Sequence, residues 1–422
     1  MNIAIIGNGG REHSICYKVR KSKKVNKIFC IPGNAGTEKI AENIKINVNN
    51  FKEIYSHLKF RKVDLIIVGP EVPLVNGIVN FFKKKKMNIF GPDRNAAKLE
   101  GSKIFMKKFC KKFNIPTADY YQIKSLSSAK KYLNKINFPL VVKSDGLAAG
   151  KGVTICNNKF EALKSIKEIL NGKFNSSSKV FVEEYLEGDE LSYFVISDGN
   201  QFKCIGTAQD HKRIGEGDTG LNTGGMGAYS PSYIINQDLE EKIINKIIKP
   251  TIKGMSKIGY KYKGILYAGL IINKNDPKLM EYNIRFGDPE CQVLMMRLKN
   301  DLINLLMSAL NNKLKSVNIK WTKEPGITIV AANKGYPGKY NKQTQVNIIK
   351  KFRPNKNKQI FHAGTERNKL GKIIAVGGRV LNATVISKSL NKARNDALKI
   401  LDNVKWKNKY YRRDIGFKIL NR

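Results

Sequence analysis

The chain has 422 residues, enough for about three domains of typical size, and carries 77 Lys and Arg against 34 Asp and Glu, a net charge of +43. Its six cysteines lie far apart without a C-x-x-C pair, which argues against a zinc ribbon or a disulfide framework and favours a reducing cytoplasm. Because no signal peptide and no run of about 18 apolar residues occurs, we expect a cytoplasmic protein without a membrane span.

So basic a chain makes nucleic-acid binding a first hypothesis. The lysines at Lys83–Lys86 and Lys107–Lys108, however, lie in amphipathic helical stretches without interleaved aromatic residues or Arg-Gly tracts. The abundance of Lys with Asn and Ile is typical of a compositional bias. We therefore expect no nucleic-acid partner, while the positive field would attract anionic small molecules.

The first hundred residues alternate strands and helices. The patterns predict strands at Asn2–Ile6, Lys27–Ile31 and Val63–Val68, and a helix at Arg11–Arg20. They indicate an open parallel α/β sheet, which binds ligands at the carboxyl ends of its strands.

Three glycine-bearing turns follow these strands. The first, Gly7–His13, resembles a dinucleotide fingerprint but has Glu12 where the third glycine should stand, so it predicts a single phosphate at a helix N-terminus rather than a nicotinamide cofactor. The others are Pro32–Thr37 and Gly69–Leu74. Each alone can be an ordinary turn, but together they predict a small-molecule site.

The next segment predicts one basic amphipathic helix, Lys98–Phe113, and then a strand that ends with Lys143 before a glycine loop. A Walker A loop does not match, because Gly152 stands where a hydroxyl is required. The loop Asp145–Val153 can fold over a polyphosphate as a flap; an ordinary glycine-rich hairpin is the alternative.

Two acidic residues, Glu183 at the end of one strand and Glu190 at the start of another, indicate a hinge that could bind adenine and ribose, although isolated acids can also be surface residues. The segment Gly215–Pro231 has so many glycines that we predict a long structured loop there, and such loops are usually functional.

A candidate metal site lies further along. If Leu279–Asn283 is a strand, its period of two places Glu281 and Asn283 on one face, where a carboxylate and an amide oxygen can bind a hard cation such as magnesium. Arg285 follows on the same side and supplies donors for a carboxylate or phosphate. Taken alone, the segment could also be an edge strand with polar outward residues.

Ten motifs, in this order along the chain, resemble those of the ATP-grasp enzymes and, within them, the phosphoribosylamine–glycine ligase family. They are GNGGREH, PGNAGT, VGPEVPL, KSDGLAAGKGV, VEEYLEGDE, QDHKR, NTGGMGAYSP, EYNIRFGDPE, GYPG and FHAGT. The resemblance implies a multidomain α/β and α+β fold. Its parts would be an N-terminal phosphosugar-binding domain with an open parallel sheet (1–101), an ATP-grasp domain (102–323) with a mobile flap subdomain at about 117–190, and a small C-terminal α+β domain (324–422).

The resemblance also implies roles for individual residues. The implied catalytic residues are Arg285, Lys143 and Asp210. The implied ligands of Mg²⁺ or Mn²⁺ are Glu281 and Asn283. The implied ATP-binding residues are Lys103, Lys143, Gly150, Lys151, Gly152, Glu183, Glu184, Leu186 and Glu190. The implied substrate-binding residues are Gly9, Gly10, Arg11, Gly33, Asn34, Glu71, Pro73, Asn222, Thr223, Gly224 and Asp288.

The activity implied by the resemblance is ATP-dependent ligation of glycine to 5-phosphoribosylamine through glycyl phosphate, giving glycinamide ribonucleotide, ADP and phosphate. We expect a monomer whose partners are these small molecules. For His211 a structural or phosphate-contacting role is preferred to that of a general base. Two rivals are another ATP-grasp ligase or carboxylase, against which GNGGREH and PGNAGT count, and a basic nucleic-acid-binding protein with a degenerate nucleotide fold.

Overall fold

The computed structural model describes residues 1–147, 152–172, 179–348 and 352–420. It confirms the predicted multidomain α/β and α+β architecture, with a parallel sheet at the N-terminus followed by antiparallel sheets. Within those residues no helix is both long and apolar enough to cross a membrane.

The N-terminal unit is a parallel sheet covered on both faces. Its elements are β1 (Asn2–Gly7), α1 (Gly10–Arg20), β2 (Lys27–Pro32), β3 (Glu42–Asn43), α2 (Phe51–Phe60), β4 (Leu65–Val68), α3 (Glu71–Val75), α4 (Ile78–Lys84) and β5 (Ile89–Phe90). The strand order is β3-β2-β1-β4-β5. Ile3 and Ile5 enter one core, whereas Ala4 and Ile6 enter another, so β1 is buried on both sides as parallel strands usually are.

Two predicted boundaries in this unit need correction. β4 begins at Leu65 rather than at Val63, because the backbone N–H of Val63 donates to the carbonyl of Leu58, 3.1 Å away, and closes α2. The loop predicted over Gly69–Leu74 contains the short helix α3, which begins at Glu71.

Two helices, rather than the predicted single helix Lys98–Phe113, lead out of the unit. They are α5 (Lys98–Gly101) and α6 (Lys103–Lys112). Ser102 separates them because its backbone is extended (φ −143°, ψ 111°) and its hydroxyl accepts the N–H of Phe105 as the N-cap of α6.

A separate four-stranded antiparallel sheet follows. Its elements are β6 (Tyr120–Ile123), α7 (Leu126–Leu133), β7 (Leu140–Ser144), β8 (Val153–Cys156), α8 (Lys159–Leu170) and β9 (Val180–Glu184). The strand order is β6-β9-β7-β8, and α7 and α8 pack on the sheet through a core of their own. Lys143 and Glu183 therefore lie on neighbouring strands, β7 and β9.

In the described part of the chain, the remaining elements form a nine-stranded sheet, three small sheets and further helices. They are β10 (Asp189–Asp198), β11 (Phe202–Asp210), β12 (Arg213–Gly215), β13 (Thr219–Asn222), β14 (Gly227–Ser230), α9 (Gln237–Ile243), a π-helical turn (Ile244–Ile248), α10 (Lys249–Lys257), β15 (Lys263–Asn273), β16 (Asp276–Asn283), α11 (Glu290–Arg297), α12 (Leu302–Leu310), β17 (Gly326–Asn333), β18 (Thr344–Gln345), β19 (Asn347–Ile348), β20 (Lys358–His362), β21 (Thr365–Arg367), β22 (Ile373–Ala375), β23 (Arg379–Ile386), α13 (Leu390–Asp402), β24 (Val404–Lys405), β25 (Lys409–Tyr410) and α14 (Phe417–Leu420).

The order of the large sheet is β16-β15-β10-β11-β14-β17-β23-β20, with β25 beside β17. The sheet thus runs without interruption from the central part of the chain into the C-terminal part. The first core of the N-terminal unit also contains Leu191, Tyr193 and Leu266 of this sheet, so the unit packs directly on it.

The prediction of a loop throughout Gly215–Pro231 is wrong. The segment contains β13 and β14, and β12 pairs with β13 as a hairpin. Glycine is needed for close packing within a strand at Gly227, because a Cβ there would lie 2.7 Å from the carbonyl oxygen of Thr328 in β17.

The N-terminal unit and the C-terminal part meet at two buried histidines. The Nδ1 of His13 accepts the backbone N–H of His362 at 2.8 Å, and the amide of Asn34 donates to the carbonyl of His362 at 2.9 Å. A ring nitrogen that accepts an N–H must be unprotonated, so this junction requires a neutral His13.

Acidification is therefore expected to destabilise the junction. Burial, assisted by nearby Lys39, lowers the pKa of His13 from 6.5 to about 3. Below about pH 6.5 the unfolded chain binds a proton that the folded chain does not, so the free energy of unfolding decreases as the pH falls. Between pH 7.5 and 5 the contribution of His13 to this loss should be about 2 kcal/mol.

Denaturant titrations at both pH values measure this loss in the wild type and in His13→Gln. The variant should lose less stability on acidification, whereas His57→Gln, a change outside the junction, should behave as the wild type does. The same pH dependence in His13→Gln and the wild type would contradict the prediction.

Candidate active site

Most of the predicted site residues line one cleft between the N-terminal unit and the two antiparallel sheets. The cleft has a volume of about 580 Å³. The predicted residues that line it are Arg11, Glu71, Lys103, Lys143, Gly152, Glu183, Glu184, Leu186, Glu190, Asp210, Asn222, Thr223, Gly224, Glu281, Asn283, Arg285 and Asp288. Gly150 and Lys151 lie outside the described residues.

The candidate metal ligands are neighbours at the end of β16. The amide nitrogen of Asn283 lies 3.4 Å from Oε1 of Glu281, so both side chains are on one face of the strand. A bulge precedes them, because Gly269 is paired with Glu281 whereas Leu270 is paired with Leu279. The strand period that predicted the pair holds from Glu281 onward, after the bulge.

Three lysines surround this pair. Burial would raise the pKa of Glu281, yet its pKa is lowered because Lys212, Lys143 and Lys103 are close by. The carboxylate is therefore ionised at neutral pH, as a metal ligand must be.

Glu281 and Asn283 suit a hard cation whose other ligands come from outside the protein. Among the described residues no group of three or more His, Cys, Asp or Glu side chains is placed to hold a metal ion. One carboxylate and one amide are a sparse set, typical of Mg²⁺ sites in which phosphates and water supply the remaining oxygens.

Arg285 lies in the cleft but is directed towards the N-terminal unit. Its guanidinium is 3.1 Å from Oε2 of Glu71 and 3.1 Å from Oε1 of Glu100. Burial opposes ionisation of Glu71, but Arg285 and Arg11 lower its pKa to about 2, whereas burial raises the pKa of Glu100 to about 7. Glu100 also accepts the N–H of Ile284 at 2.8 Å, and sequence reasoning missed it.

Glu183 is enclosed between two lysines. Its carboxylate is 2.6 Å from Nζ of Lys143 and 2.9 Å from Nζ of Lys107. Sequence reasoning missed Lys107, although a signal existed: it is three residues from both Ile104 and Cys110, which places it on the buried face of α6. Glu183 thus holds the ammonium group of Lys143 through a charge pair, and its implied role at the adenine stays a prediction.

Lys212 is the second lysine that sequence reasoning missed as a site residue. Its Nζ is 2.8 Å from Oε2 of Glu190, the residue predicted to bind ribose. Asp210 lies nearby, and burial together with Glu290 raises its pKa well above the usual range. Its Oδ1 has no hydrogen-bond partner in the described part of the chain. Lys212 was overlooked because the chain is rich in lysine and the motif QDHKR does not by itself mark one residue.

Comparison with known proteins identifies the family. Family models of phosphoribosylglycinamide synthetase match along the chain: the N domain at residues 1–100, the ATP-grasp (A) domain at 101–291 and the C domain at 326–418. A phosphoribosylamine--glycine ligase of Mesorhizobium japonicum is 44% identical over 423 residues, which cover 100% of this chain and 99% of that protein. The chain belongs to the phosphoribosylglycinamide synthetase family.

Solved structures agree with this family. The crystal structure of phosphoribosylamine--glycine ligase from Thermotoga maritima superimposes with a TM-score of 0.85 at 30% identity, covering 98% of this chain and 100% of that one. Biotin carboxylase from Campylobacter jejuni has a TM-score of 0.76 at 16% identity, covering 100% of this chain and 95% of that one. The second likeness shows that the phosphoribosylglycinamide synthetase fold is shared with biotin carboxylase.

The residues that follow β7 are hydrogen-bonded to the first turn of α6. Nζ of Lys103 donates to the carbonyl of Gly146 at 2.8 Å, and the carboxylate of Asp145 accepts the hydroxyl of Ser102 at 3.1 Å and the N–H of Ile104 at 3.2 Å. In this member of the phosphoribosylglycinamide synthetase family, Ser102 and Lys103 therefore hold the start of the predicted flap, whose residues 148–151 lie outside the described residues.

His211 has a structural environment. Its Nε2 accepts the backbone N–H of Gly416 at 2.9 Å, and its Nδ1 lies 3.4 Å from Oδ1 of Asp218. Both ring nitrogens are engaged, and the side chain is buried. This geometry supports the preferred structural role and leaves neither nitrogen available as a general base.

In the turn after β1, where a phosphate site is predicted, two backbone N–H groups donate to carboxylates. The carboxylate of Glu12 accepts the N–H of Gly9 at 2.6 Å, and that of Asp288 accepts the N–H of Arg11 at 3.3 Å. Two backbone donors at the start of α1 are thus already occupied.

Several residues predicted to bind substrate do not line the cleft; these are Gly9, Gly10, Gly33, Asn34 and Pro73.

Proposed function

We propose that the chain catalyses the ATP-dependent ligation of glycine to 5-phosphoribosylamine, giving glycinamide ribonucleotide, ADP and phosphate in purine biosynthesis. One observation carries the proposal. A single cleft combines the pair Glu281 and Asn283, surrounded by lysines, with Arg285 and the loop at Asn222–Gly224. The names of the relatives support the choice of substrates.

The end of the cleft that contains Lys103 and Lys143 suits the phosphates of ATP, because these ammonium groups lie beside Glu281. Glu281 and Asn283 would hold a divalent cation, Mg²⁺ or Mn²⁺, whose charge would neutralise phosphate oxygens. We place Glu183, Glu184 and Leu186 at the adenine and Glu190 at the ribose. All four residues line the cleft.

The reaction has two steps. A carboxylate oxygen of glycine attacks the γ-phosphorus of ATP, the bond from that phosphorus to the bridging oxygen breaks, and ADP leaves. The amino nitrogen of 5-phosphoribosylamine then attacks the carbonyl carbon of glycyl phosphate, loses a proton and displaces inorganic phosphate. Such phosphoryl transfer depends on positioning and charge neutralisation, so no covalent enzyme intermediate is needed.

Individual residues would serve these steps as follows. Arg285 would orient the glycine carboxylate or the acyl phosphate, and its own position is set by Glu71 and Glu100. Asp210, whose Oδ1 has no hydrogen-bond partner in the described part of the chain, would accept the proton lost by the amine. The flap over Asp145–Val153 would keep water from the mixed anhydride.

Omitting substrates one at a time tests the proposal. ADP release should reach its full rate only with glycine and 5-phosphoribosylamine together, and one ADP should form per glycinamide ribonucleotide. Bicarbonate in place of glycine should not support ADP release at this rate. Full ADP release with bicarbonate, or with 5-phosphoribosylamine alone, would contradict the proposal and favour another ATP-grasp ligase or carboxylase.

The net charge of +43 gives a further prediction. The side chains of Lys83–Lys86 are exposed at the end of α4 and touch no part of the cleft. Replacing them with glutamates should leave kcat unchanged and reduce kcat/KM for the phosphosugar modestly. The reduction should fade near 0.15 M salt, where the screening length is about 8 Å.

Binding to RNA or DNA is the second measurement on this variant. We propose a monomer with no nucleic-acid partner, so neither the wild type nor the variant should bind tightly at physiological salt. Tight wild-type binding that disappears in the variant would instead assign this surface to a nucleic acid.

A further inference from the structure

The C-terminal part of the chain reaches into the cleft through Arg379, the first residue of β23. Nη1 of Arg379 donates to the carbonyl of Gly224 at 2.5 Å and to that of Asp288 at 2.6 Å. The hydroxyl of Tyr336 accepts the N–H of Gly224 at 2.9 Å. The proposed chemistry uses neither Tyr336, in the motif GYPG, nor Arg379.

The two side chains are held together by close packing. A Cβ on Gly378 would lie 2.2 Å from Cδ2 of Tyr336, so the ring lies against the backbone next to Arg379. The turn that presents Tyr336 requires a glycine, since Gly335 has a φ of +99° and a Cβ there would lie 2.1 Å from the carbonyl oxygen of Lys339. Local packing thus places Tyr336 and Arg379 against the same loop of the cleft, at Gly224.

That loop and Asp288 are among the residues implied to bind substrate, and we place the amine substrate beside them. The hydroxyl of Thr223 donates to the carbonyl of Lys212 at 2.8 Å and accepts the N–H of Gly225 at 3.0 Å, which fixes the other side of the loop. The carboxylate of Asp288 accepts the N–H of Arg11. Arg379 therefore joins two segments that are distant in sequence and adjacent to the N-terminal unit.

The charge of Arg379 is less closely paired than that of two neighbouring arginines. Arg11 lies 2.5 Å from a carboxylate oxygen of Glu12, and Arg285 lies 3.1 Å from carboxylate oxygens of Glu71 and Glu100. In the described part of the chain, the ion pair of Arg379 is with Oδ1 of Asp288 at 3.6 Å, and its hydrogen bonds go to backbone carbonyls. Its side chain is 21% exposed.

We propose that Arg379 determines the affinity for the phosphorylated amine substrate. One amino group of its guanidinium positions the Gly224–Gly225 loop and Asp288, and the remaining positive charge attracts the phosphate of that substrate. The proposal rests on the proposed function, whose amine substrate is a sugar phosphate. Arg379 contacts Gly224, Gly225 and Asp288, and none of these is a residue that we place at ATP, so its effect should be on the phosphosugar and not on ATP.

Steady-state kinetics with each substrate varied in turn test this proposal. Arg379→Ala should raise KM for 5-phosphoribosylamine about 100-fold and change KM for ATP less than about threefold. Arg379→Lys keeps the charge but cannot bridge several carbonyls, so its KM should be intermediate. Tyr336→Phe removes one loop contact and no charge, and should have the smallest effect of the three.

A salt series separates the charge from the loop contacts. In Arg379→Ala, kcat/KM for the phosphosugar should depend less on ionic strength than in the wild type, whereas Tyr336→Phe should keep the wild-type dependence. Arg413→Ala is the matched control, because Arg413 is another arginine of the C-terminal part that pairs with Asp402 and is 56% exposed. Its kinetics should equal those of the wild type.

The possible failures are distinguishable. An active wild type together with an unchanged phosphosugar KM in Arg379→Ala would contradict this inference alone. Parallel rises in KM for ATP and for the phosphosugar in both Arg379 variants would indicate a general structural role and would also overturn it. A wild type that makes no glycinamide ribonucleotide would contradict the proposed function and, with it, this inference.

Discussion

Glu281→Gln is expected to lower turnover by about 1,000-fold or more while the fold stays intact. Glutamine has nearly the same shape but no charge, so the cation would lose its one carboxylate ligand beside Asn283. Lys103, Lys143 and Lys212 would also lose the carboxylate that faces them. The measurement is kcat at increasing magnesium concentration, with circular dichroism to check the fold.

A control for this variant exists on the same strand. Asp276→Asn also removes a carboxylate from β16, but Asp276 is 53% exposed and pairs with Lys246 at the surface. Its turnover should equal that of the wild type. Near-normal turnover of Glu281→Gln at saturating magnesium would remove Glu281 from the metal site.

Glu183→Gln should have the largest effect on stability. Lys107 is fully buried, and Glu183 is 3% exposed, so the variant would leave a buried ammonium without its counter-charge. Breaking a buried ion pair in this way costs about 3–5 kcal/mol of the free energy of unfolding. Lys143 would also lose the carboxylate that positions it, so KM for ATP should rise.

The neighbouring carboxylate supplies the matched control. Glu184 is 47% exposed and lies 3.6 Å from Lys278, so Glu184→Gln should change the free energy of unfolding by less than about 1 kcal/mol. Denaturant titrations of both variants measure how much free energy of unfolding each substitution removes. Equal stabilities for Glu183→Gln and Glu184→Gln would show that the buried cluster contributes nothing beyond a surface pair.

The parts of the site that could be predicted depend on local geometry. The pair Glu281 and Asn283 follows from the period of two in a strand, and Lys143 and Glu183 follow from two strand ends. In these cases the residues that define the pattern are close in sequence, so the prediction did not require knowledge of the tertiary packing. The parallel N-terminal sheet was predictable for the same reason, from alternating strand and helix patterns.

The partners of these residues could not be predicted, because they come from distant parts of the chain. Arg285 meets Glu100 of α5, Glu183 meets Lys107 of α6, and Lys212 meets Glu190. A single sequence with 77 Lys and Arg offers many possible partners for each acid and no way to choose among them. The choice is made by how the sheets pack around the cleft.

Glycine-rich segments are hard to interpret from sequence. At the turn after β1 the phosphate site stays a prediction, and the carboxylate of Glu12 accepts the N–H of Gly9 there. The segment Gly215–Pro231 looked irregular, but Gly227 lies in a strand where a side chain would collide with the next strand. Composition alone does not tell a glycine needed for a ligand from one needed for packing.

The central claim is that glycine is activated as an acyl phosphate in this cleft, and the fate of oxygen tests it most directly. With glycine carrying ¹⁸O in both carboxylate oxygens, we predict one labelled oxygen in inorganic phosphate and the other in the amide carbonyl of glycinamide ribonucleotide. Label in AMP, or product formed with unlabelled phosphate, would contradict the account.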